Sequence, residues 1–398
     1  MSSNQSNSIW NVQFTCIFLA NALMYFGQYM AQTLVTKYAS VLGASTGTIG
    51  IIASAFAFTA LIFKLVSGPA IDAFERKFII FGAMLTLAAA FFGIGMAKTV
   101  QMIIVFRLLQ GVAQAFTATG YLAMATDALP SDRIGSGLGI FTLAQSICMA
   151  ISPTVGLAIA NASSFRVTFI VAAALVCAAA FLSLIIKKSD KPKRKFAIRP
   201  ENFFAKEASM SMLFLFLVYV TQSLINSYLV IYATEIRGIG SIGIYFTVNT
   251  IVMLFTRPVI GRLTDKIGFT KTFVPAVACF AISFFLVSIA TNITMFILAA
   301  VIQAFGSGVC HPLVNALCMK SVSDDRRGAG SSTGYIGVDL GNLVGPSLGA
   351  FVLAKAGYAN MWRIMVIPVV LAGVIAFVYR RKIRDIEIAY DKSHAKEG

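Results

Sequence analysis

Long, continuous apolar runs cover most of the 398-residue chain, and short polar or Gly- and Pro-rich segments separate them. Because the runs do not alternate between apolar and polar positions, they predict helices rather than the strands of a barrel. A helix needs about 20 apolar residues to cross the hydrocarbon core of a bilayer. The pattern therefore predicts twelve membrane spans, at residues 12–35, 46–71, 78–97, 101–125, 135–160, 167–186, 211–232, 241–261, 272–291, 294–319, 330–354 and 362–380.

Composition supports an all-α polytopic membrane protein. Hydrophobic residues make up 58% of the chain and charged residues only 12%, whereas an average soluble protein carries about 25% charged residues. These values exclude a soluble globular protein, a disordered chain and a small secreted domain held by disulfides. The 6 cysteines all lie in apolar runs without metal-ligand spacing, so we expect packing thiols, no metal site and no cofactor.

The net charge of +16 indicates membrane topology rather than nucleic-acid binding. With the N-terminus inside, most of the 32 Lys and Arg residues fall in cytoplasmic segments, as the positive-inside rule requires. We therefore expect a multi-pass protein of the cell membrane with both termini in the cytoplasm. Since the polar N-terminus lacks a basic region and a cleavage site, no signal peptide is expected. The long polar connection at 187–209 is predicted to be a basic cytoplasmic linker that can contact anionic lipid headgroups.

The two halves of the chain, 1–186 and 210–398, repeat one another in sequence. Polar, Gly and Pro positions recur after 193 residues, as in the pairs Gly68 and Gly261, Asp72 and Asp265, Gln110 and Gln303, and Pro153 and Pro346. In the first span of each half the shift is 194 residues, which pairs Tyr25 with Tyr219, Gln28 with Gln222, and Gln32 with Asn226. Two six-span halves about an axis along the membrane normal are typical of a transporter whose site lies where the halves meet.

After the second span of each half, the chain resembles the hallmark loop of the major facilitator superfamily, G-x-x-x-D-[RK]-x-G-x-[RK]-[RK]. The copy in the second half has the motif residues Gly261, Asp265, Lys266, Gly268 and Lys271. The copy in the first half keeps Gly68, Asp72, Arg76 and Lys77. It departs from the motif at Ala73 and Glu75, so its gate contacts are expected to differ. The resemblance covers the whole chain and implies twelve transmembrane helices in two pseudo-symmetric six-helix halves, with these loops acting as gates.

The fourth span adds a second resemblance to this family. It opens with Arg107, Gln110 and Gly111, which is similar to the family's R-x-x-Q-G element, an element linked to proton coupling. Drug–proton antiporters of the family also carry G-P-x-x-G-G in the fifth span, where this chain lacks three of the expected glycines. The resemblance to the efflux branch therefore rests more on the first element than on the second.

One acid lies well inside a predicted span. Asp339 is about 13 Å from the inner end of the eleventh span, at 1.5 Å per residue. Lipid disfavours a charged carboxylate, so we expect a proton carrier or a ligand for a cationic substrate. The alternative is a structural acid paired to a neighbouring helix. Arg107 and His311 are further candidates for proton coupling, although helix pairing and core packing explain them equally simply.

Two basic residues occupy equivalent places in the second and eighth spans. Lys64 and Arg257 each precede the acid of the gate loop by about two helical turns. They are candidates for binding an anionic substrate, and bracing of the cytoplasmic gate is the competing interpretation.

Uncharged polar side chains at helical spacing predict a substrate cavity, because polar groups at lipid depth should face protein or water. On the first, fourth and seventh spans the candidate substrate ligands are Tyr25, Gln28, Gln32, Gln110, Gln114, Tyr219, Gln222 and Asn226. Hydrogen bonding between helices is the alternative role for these residues.

Together these features predict a secondary active transporter of small organic solutes that works by alternating access. Proton-coupled efflux of drug-like or metabolite substrates is the first hypothesis, and uptake or exchange of a small organic anion through Lys64 and Arg257 is the second. A non-transporting receptor is a third, which the intact second gate loop disfavours. Without a nucleotide-binding loop of the G-x-x-x-x-G-K-[ST] type, neither ATP-driven pumping nor enzyme chemistry is expected. The expected partners are substrate, protons and membrane lipid, with no nucleic acid, and the chain is expected to be a monomer.

Overall fold

The computed structural model describes residues 9–129, 134–186, 204–323 and 327–394. In these ranges the chain forms α-helices, one 3-10 turn (Lys206–Ala208), one π turn (Tyr232–Ile236) and no strand. The helices are α1 (Val12–Gln32), α2 (Val35–Val41), α3 (Thr46–Ala73), α4 (Arg76–Gly95), α5 (Val100–Ala128), α6 (Ile134–Ala162), α7 (Phe165–Ile185), α8 (Ser209–Ile231), α9 (Gly243–Ile267), α10 (Phe269–Ile289), α11 (Ile293–Lys320), α12 (Arg327–Ile364), α13 (Ile367–Val378) and α14 (Arg380–His394). The predicted all-α class is confirmed.

Ten stretches of the described chain are helical, long and apolar enough to cross a membrane. The last of them, Ala329–Val378, contains the eleventh predicted span and most of the twelfth. It breaks at Gly357, whose φ of +77° is non-helical, so the twelfth span is formed by the end of α12 together with α13. The first predicted span is the helix α1, which lies outside those ten.

Polar caps set the beginnings of several helices. The side chain of Asn11 accepts a hydrogen bond from the Phe14 N–H (2.9 Å) and starts α1. Thr99 and Asn292 cap α5 and α11 in the same way, by accepting from the third residue that follows. Because Thr99 and Asn292 are 193 positions apart, the repeat seen in the sequence extends to the way in which its helices begin.

By their contacts the described residues form two compact units. The first has the bounds Met1–Ala44 and Ala55–Ile198, and the second has the bounds Ser45–Ser54 and Arg199–Gly398. In the first unit α1 packs against α5, α6 and α7, and α4 packs against α5 and α7. In the second unit the equivalent helix α8 packs against α11, α12 and α13, and α10 packs against α11 and α13. Each unit thus repeats the same helix pairings.

Glycines allow α12 to approach the backbone of α8 closely. A Cβ on Gly337 would lie 2.3 Å from the carbonyl oxygen of Met212, and a Cβ on Gly345 would lie 2.4 Å from that of Val220. Gly341 lies between them, and its Cβ would lie 2.6 Å from the Cβ of Tyr219. These positions recur every four residues, so they form one stripe along α12, as in other close helix pairs in membranes.

The predicted cytoplasmic tail contains a helix that the hydrophobic pattern did not indicate. Helix α14 follows α13 directly and packs against α10, α11 and α13. Ile383 is fully buried in this packing, while the Glu387 carboxylate accepts a hydrogen bond from the Phe269 N–H at the start of α10 (3.0 Å). Ile383 is the one apolar side chain of α14 in the buried class among the described residues, and such a pattern is too weak to detect as a membrane span.

The stripe on α12 predicts which glycines tolerate an added methyl group. Gly345→Ala should lower the free energy of unfolding by about 1–3 kcal/mol, because its Cβ meets the backbone of α8. Gly82→Ala in α4 is the control, since a Cβ there meets no atom within 4 Å. Thermal unfolding of the detergent-purified variants measures both effects. Equal melting temperatures for the two variants would contradict the assigned packing.

Candidate functional site

A buried arginine organises the polar face of α5 in the first unit. Arg107 is only 3% exposed, and its Nη1 donates to Gln110 Oε1 (2.7 Å), one turn further along the helix. Its guanidinium lies 5.0 Å from the ring centroid of Phe56, a cation–π distance. Because Arg107 can only donate hydrogen bonds, the atom of Gln110 that it contacts must be the amide oxygen.

Several other polar atoms of this face have no hydrogen-bond partner in the described part of the structure. They are buried side-chain atoms of α1 and α5, namely Asn21 Nδ2, Gln28 Oε1, Gln110 Nε2, Gln114 Oε1 and the Tyr121 hydroxyl. A buried polar atom without a partner costs about 1–3 kcal/mol. Such atoms are rare in native structures, so their concentration on α1 and α5 makes these helices the candidate site of the first unit.

The remaining predicted residues of α1 lie beside an aromatic pair. Tyr25 stacks on Tyr29 with ring centroids 5.7 Å apart, and the Tyr29 hydroxyl accepts from Gln145 Nε2 of α6 (3.0 Å). Gln32 is half-buried at the end of α1. The sequence analysis missed Tyr29, Gln145 and Asn21. Asn21 and Gln145 have no counterpart of the same type 194 or 193 residues later, so the repeat did not reveal them.

In the second unit, the equivalent glutamines bond to one another. Gln303 Nε2 donates to Gln222 Oε1 (2.8 Å) and to Ser307 Oγ (3.2 Å). Gln303 Oε1 accepts from the Ser283 hydroxyl (2.6 Å). The network ties α8, α10 and α11 together, so hydrogen bonding between helices, the alternative role, describes Gln222. Asn226 lies one turn further along α8 and is half-buried.

His311 lies against an aromatic ring and an amide in the same unit. Its ring packs edge-on against Tyr219 with centroids 5.4 Å apart, and Asn315 Nδ2 donates to its Nε2 (3.1 Å). In the described part of the chain no hydrogen bond joins His311 to Asp339. The structure therefore brings His311 together with Tyr219, a predicted substrate ligand, rather than with the predicted proton carrier.

Asp339 is buried within α12, with 8% of its surface exposed. Among the described side chains it is the one acid in the buried class. It lies two residues from both Gly337 and Gly341, so it projects from a different side of α12 than the glycine stripe that contacts α8. Tyr335 and Asn342 lie one turn before and after it on the same side.

The two predicted intramembrane cations differ in their surroundings. Arg257 Nε donates to the carbonyl oxygen of Gly308 (3.3 Å), which braces α9 against α11. Lys64 is half-buried on α3, and the Ser67 hydroxyl donates to its carbonyl oxygen (3.4 Å). The bond from Arg257 to Gly308 fits the gate interpretation of this residue.

The first gate loop is joined to α5 by an ion pair. Arg76 Nη1 contacts Asp127 Oδ2, and Arg76 Nε donates to the carbonyl oxygen of Ile71 (3.2 Å). The ion pair connects the start of α4 with the end of α5. The side chains of the predicted gate acids, Asp72 and Asp265, lie outside the described part of the structure.

The second gate loop uses a different turn from the first. Gly268 has a φ of +87°, a conformation that favours glycine, whereas the equivalent Glu75 is extended with a φ of −70°. This explains why the first copy of the motif does without its glycine. Lys266 is exposed. A Cβ on Gly261 would meet no described atom within 4 Å, so a close approach of helices does not explain this glycine.

The hydrogen bonds of the two units predict opposite responses to loss of a glutamine. Gln303→Met should reduce the free energy of unfolding by about 1–3 kcal/mol, because partners of Gln303 lose their bonds. Gln114→Met should leave the stability unchanged or raise it, because the amide oxygen lost has no partner. Chemical unfolding of both purified variants compares them directly. A larger loss for Gln114→Met would contradict the assigned bonding.

Comparison with known proteins gives consistent matches along the chain. The model of the Major Facilitator Superfamily matches residues 17–240 and 211–393. An uncharacterized MFS-type transporter of Methanocaldococcus jannaschii is 24% identical over 363 residues, which cover 87% of this chain and 92% of that protein. The multi-drug resistance efflux pump PmrA of Streptococcus pneumoniae is 26% identical over 320 residues, covering 78% and 80%. The crystal structure of the nucleoside transporter NupG has a TM-score of 0.74 at 14% identity, covering 92% and 99%.

Proposed function

Because the chain belongs to the major facilitator superfamily, we propose that it exports small organic solutes across the cell membrane in exchange for protons. Relatives named as multidrug efflux pumps or resistance proteins support the direction and the substrate type. Membership of this family makes the chain a secondary transporter rather than an enzyme, and its partner a small molecule. We place both termini in the cytoplasm, since this orientation puts most of the basic residues inside.

The observation that carries proton coupling is the burial of Asp339 in α12. A carboxyl group in an apolar site is more stable when it is protonated, and it ionises when the site opens to water. A carrier needs this alternation: Asp339 releases its proton on one side of the membrane and takes up another on the other side. Substrate export then proceeds while protons move inward, and the energy comes from the proton gradient.

The gate loops supply the conformational part of this mechanism. The ion pair between Arg76 and Asp127 ties two helix ends at the first loop. At the second loop, Glu387 caps α10 beside Gly268. In this proposal such contacts stabilise one of the two states of the transporter. Binding of substrate or a proton shifts the equilibrium toward the other state by the difference between its affinities for the two states.

Replacement of Asp339 tests the coupling. Asp339→Asn keeps the shape of the side chain but fixes its neutral form, so uphill transport driven by a pH gradient should fall to the level of passive exchange. Substrate binding and gradient-free exchange should persist. Flux in proteoliposomes with and without an imposed pH gradient measures both. Asp339→Glu is the matched control, and it should retain part of the coupled flux. Uphill transport by Asp339→Asn at the wild-type rate would make Asp339 a structural residue.

A second candidate function is transport of a small organic anion, and the intramembrane cations favour it. Arg107 is buried, and both Lys64 and Arg257 lie within α-helical spans. Arg107 is already bound to Gln110, so in this hypothesis the carboxylate of the substrate would bind Lys64 or Arg257.

Separate measurement of affinity and turnover distinguishes the two roles of Arg257. If it binds an anion, Arg257→Gln should weaken binding of a carboxylate such as benzoate by tenfold or more, on the order of one charge-assisted hydrogen bond. If it braces α9 against Gly308, binding should survive while turnover falls. Equilibrium binding to the purified protein, together with flux in proteoliposomes, reports each quantity by itself.

A further inference from the structure

The two units use the same three positions in opposite ways. In the second unit Gln222, Gln303 and Ser307 are linked by hydrogen bonds of 2.8 and 3.2 Å. Their counterparts in the first unit are Gln28, at a shift of 194, and Gln110 and Gln114, at a shift of 193. Each of these three carries a buried polar atom without a partner in the described part of the structure. The second unit therefore has a hydrogen-bonded network at these positions, whereas the first unit has polar atoms without partners there.

Three substitutions between the repeats account for the difference in hydrogen bonding. The position equivalent to Ser283, the donor to Gln303, is Ala90 in the first unit, and Arg107 replaces it as the donor to Gln110. The position equivalent to Ser307 is the longer Gln114. The first unit thus has more donor and acceptor groups at these positions than the second, and fewer of them bond to other described residues.

The unpartnered atoms of Gln28, Gln110 and Gln114 determine which chemical groups a ligand must carry. Arg107 fixes the oxygen of Gln110, so the unpartnered atom of Gln110 is an N–H donor. The unpartnered atoms of Gln28 and Gln114 are amide oxygens, which only accept. All three residues are more than nine-tenths buried, with exposures of 4%, 1% and 8% for Gln28, Gln110 and Gln114. A matching ligand must present an acceptor and a donor close together in an apolar environment.

We infer that this set recognises a neutral substrate with adjoining carbonyl and N–H groups: a primary or secondary carboxamide, a lactam, a urea or the edge of a nucleobase. The carbonyl accepts from Gln110 Nε2, and the N–H donates to Gln114 Oε1, one turn further along α5. The inference rests on the proposed transport function and specifies the class of solute.

Other substrate chemistries fit the set less well. A carboxylate offers acceptors only, so the oxygens of Gln28 and Gln114 would face it without a donor, and Arg107 is already engaged by Gln110. A quaternary or phosphonium cation has no group that accepts from Gln110. A tertiary amide keeps the carbonyl but lacks the N–H. The difference between a secondary and a tertiary amide therefore isolates the predicted recognition.

The test uses three probes that share one apolar body: 4-phenylbutanamide, its N,N-dimethyl derivative and 4-phenylbutanoate. Equilibrium binding to the purified full-length protein should favour the primary amide over both others by about tenfold, on the order of one neutral hydrogen bond. Gln114→Met removes an acceptor and should reduce this preference to less than threefold. Gln110→Glu keeps the oxygen that binds Arg107 but removes the N–H donor, and it should weaken amide binding to a similar extent.

Controls keep the result interpretable. Ser283→Ala disturbs the closed network of the second unit, so it should change stability but not the preference for the amide. Melting temperatures of all variants establish that each one is folded. Equal affinity of the wild-type protein for the primary and the dimethyl amide would overturn the inference, as would an unchanged preference in Gln114→Met.

Transport measurements separate this inference from the function on which it rests. If proteoliposomes expel tetraphenylphosphonium on an imposed pH gradient while the protein shows no amide preference, the transport proposal stands and the amide inference falls. If the amide preference and its loss in Gln114→Met are observed while no probe moves on a pH gradient, the recognition stands and the proton-coupled function falls.

Discussion

Polar groups in the interior of a membrane protein must find partners within the protein or in trapped water, and this constraint connects the features of the fold. In lipid the backbone can satisfy its hydrogen bonds only as helices or closed barrels, which explains why a chain that is 58% hydrophobic folds into helices throughout its described ranges. The side chains face the same requirement. In the second unit Gln222 and Gln303 meet it by bonding to each other, whereas in the first unit one buried amide oxygen each of Gln28 and Gln114 has no partner among the described residues.

Comparison of the two repeats shows which features of the units are shared and which differ. Both units use the same helix pairings and equivalent helix caps at Thr99 and Asn292, so the apolar packing is shared. The units differ in their polar residues. Arg107 corresponds to Ala300 and Ala90 to Ser283, and these exchanges alter which amide atoms remain available. Asp339 likewise has no acidic counterpart in the first half, since the position 193 residues earlier is Ser146.

Much of the architecture could be predicted from the sequence because apolar runs and their breaks are local signals. Eleven of the predicted spans overlap the ten apolar helical stretches, and α1 forms most of the remaining one. The state of the glutamines could not be predicted, since Gln110 and Gln303 are the same residue type. Gln110 accepts from Arg107 of its own helix, whereas Gln303 accepts from Ser283 of a neighbouring helix. Helix α14 was missed because its stability comes from contacts with α10 and α11 rather than from its own composition. The sequence alone also did not explain why Glu75 replaces a glycine of the motif. The structure does, because the backbone at Glu75 is extended and does not need a glycine.

The partners of the two gate loops lie at different distances along the chain, which matters while the protein is being made. Arg76 meets Asp127 only 51 residues later, so the ribosome supplies this partner while the first half is still being synthesised. The partner of the Phe269 N–H is Glu387, which is synthesised 118 residues later. Since domains emerge and fold from the N-terminus onward, the first unit can complete its loop before the second unit exists. The second loop acquires its cap only after Glu387 has been synthesised, so a variant truncated before this residue would contain all of its spans and still lack this contact.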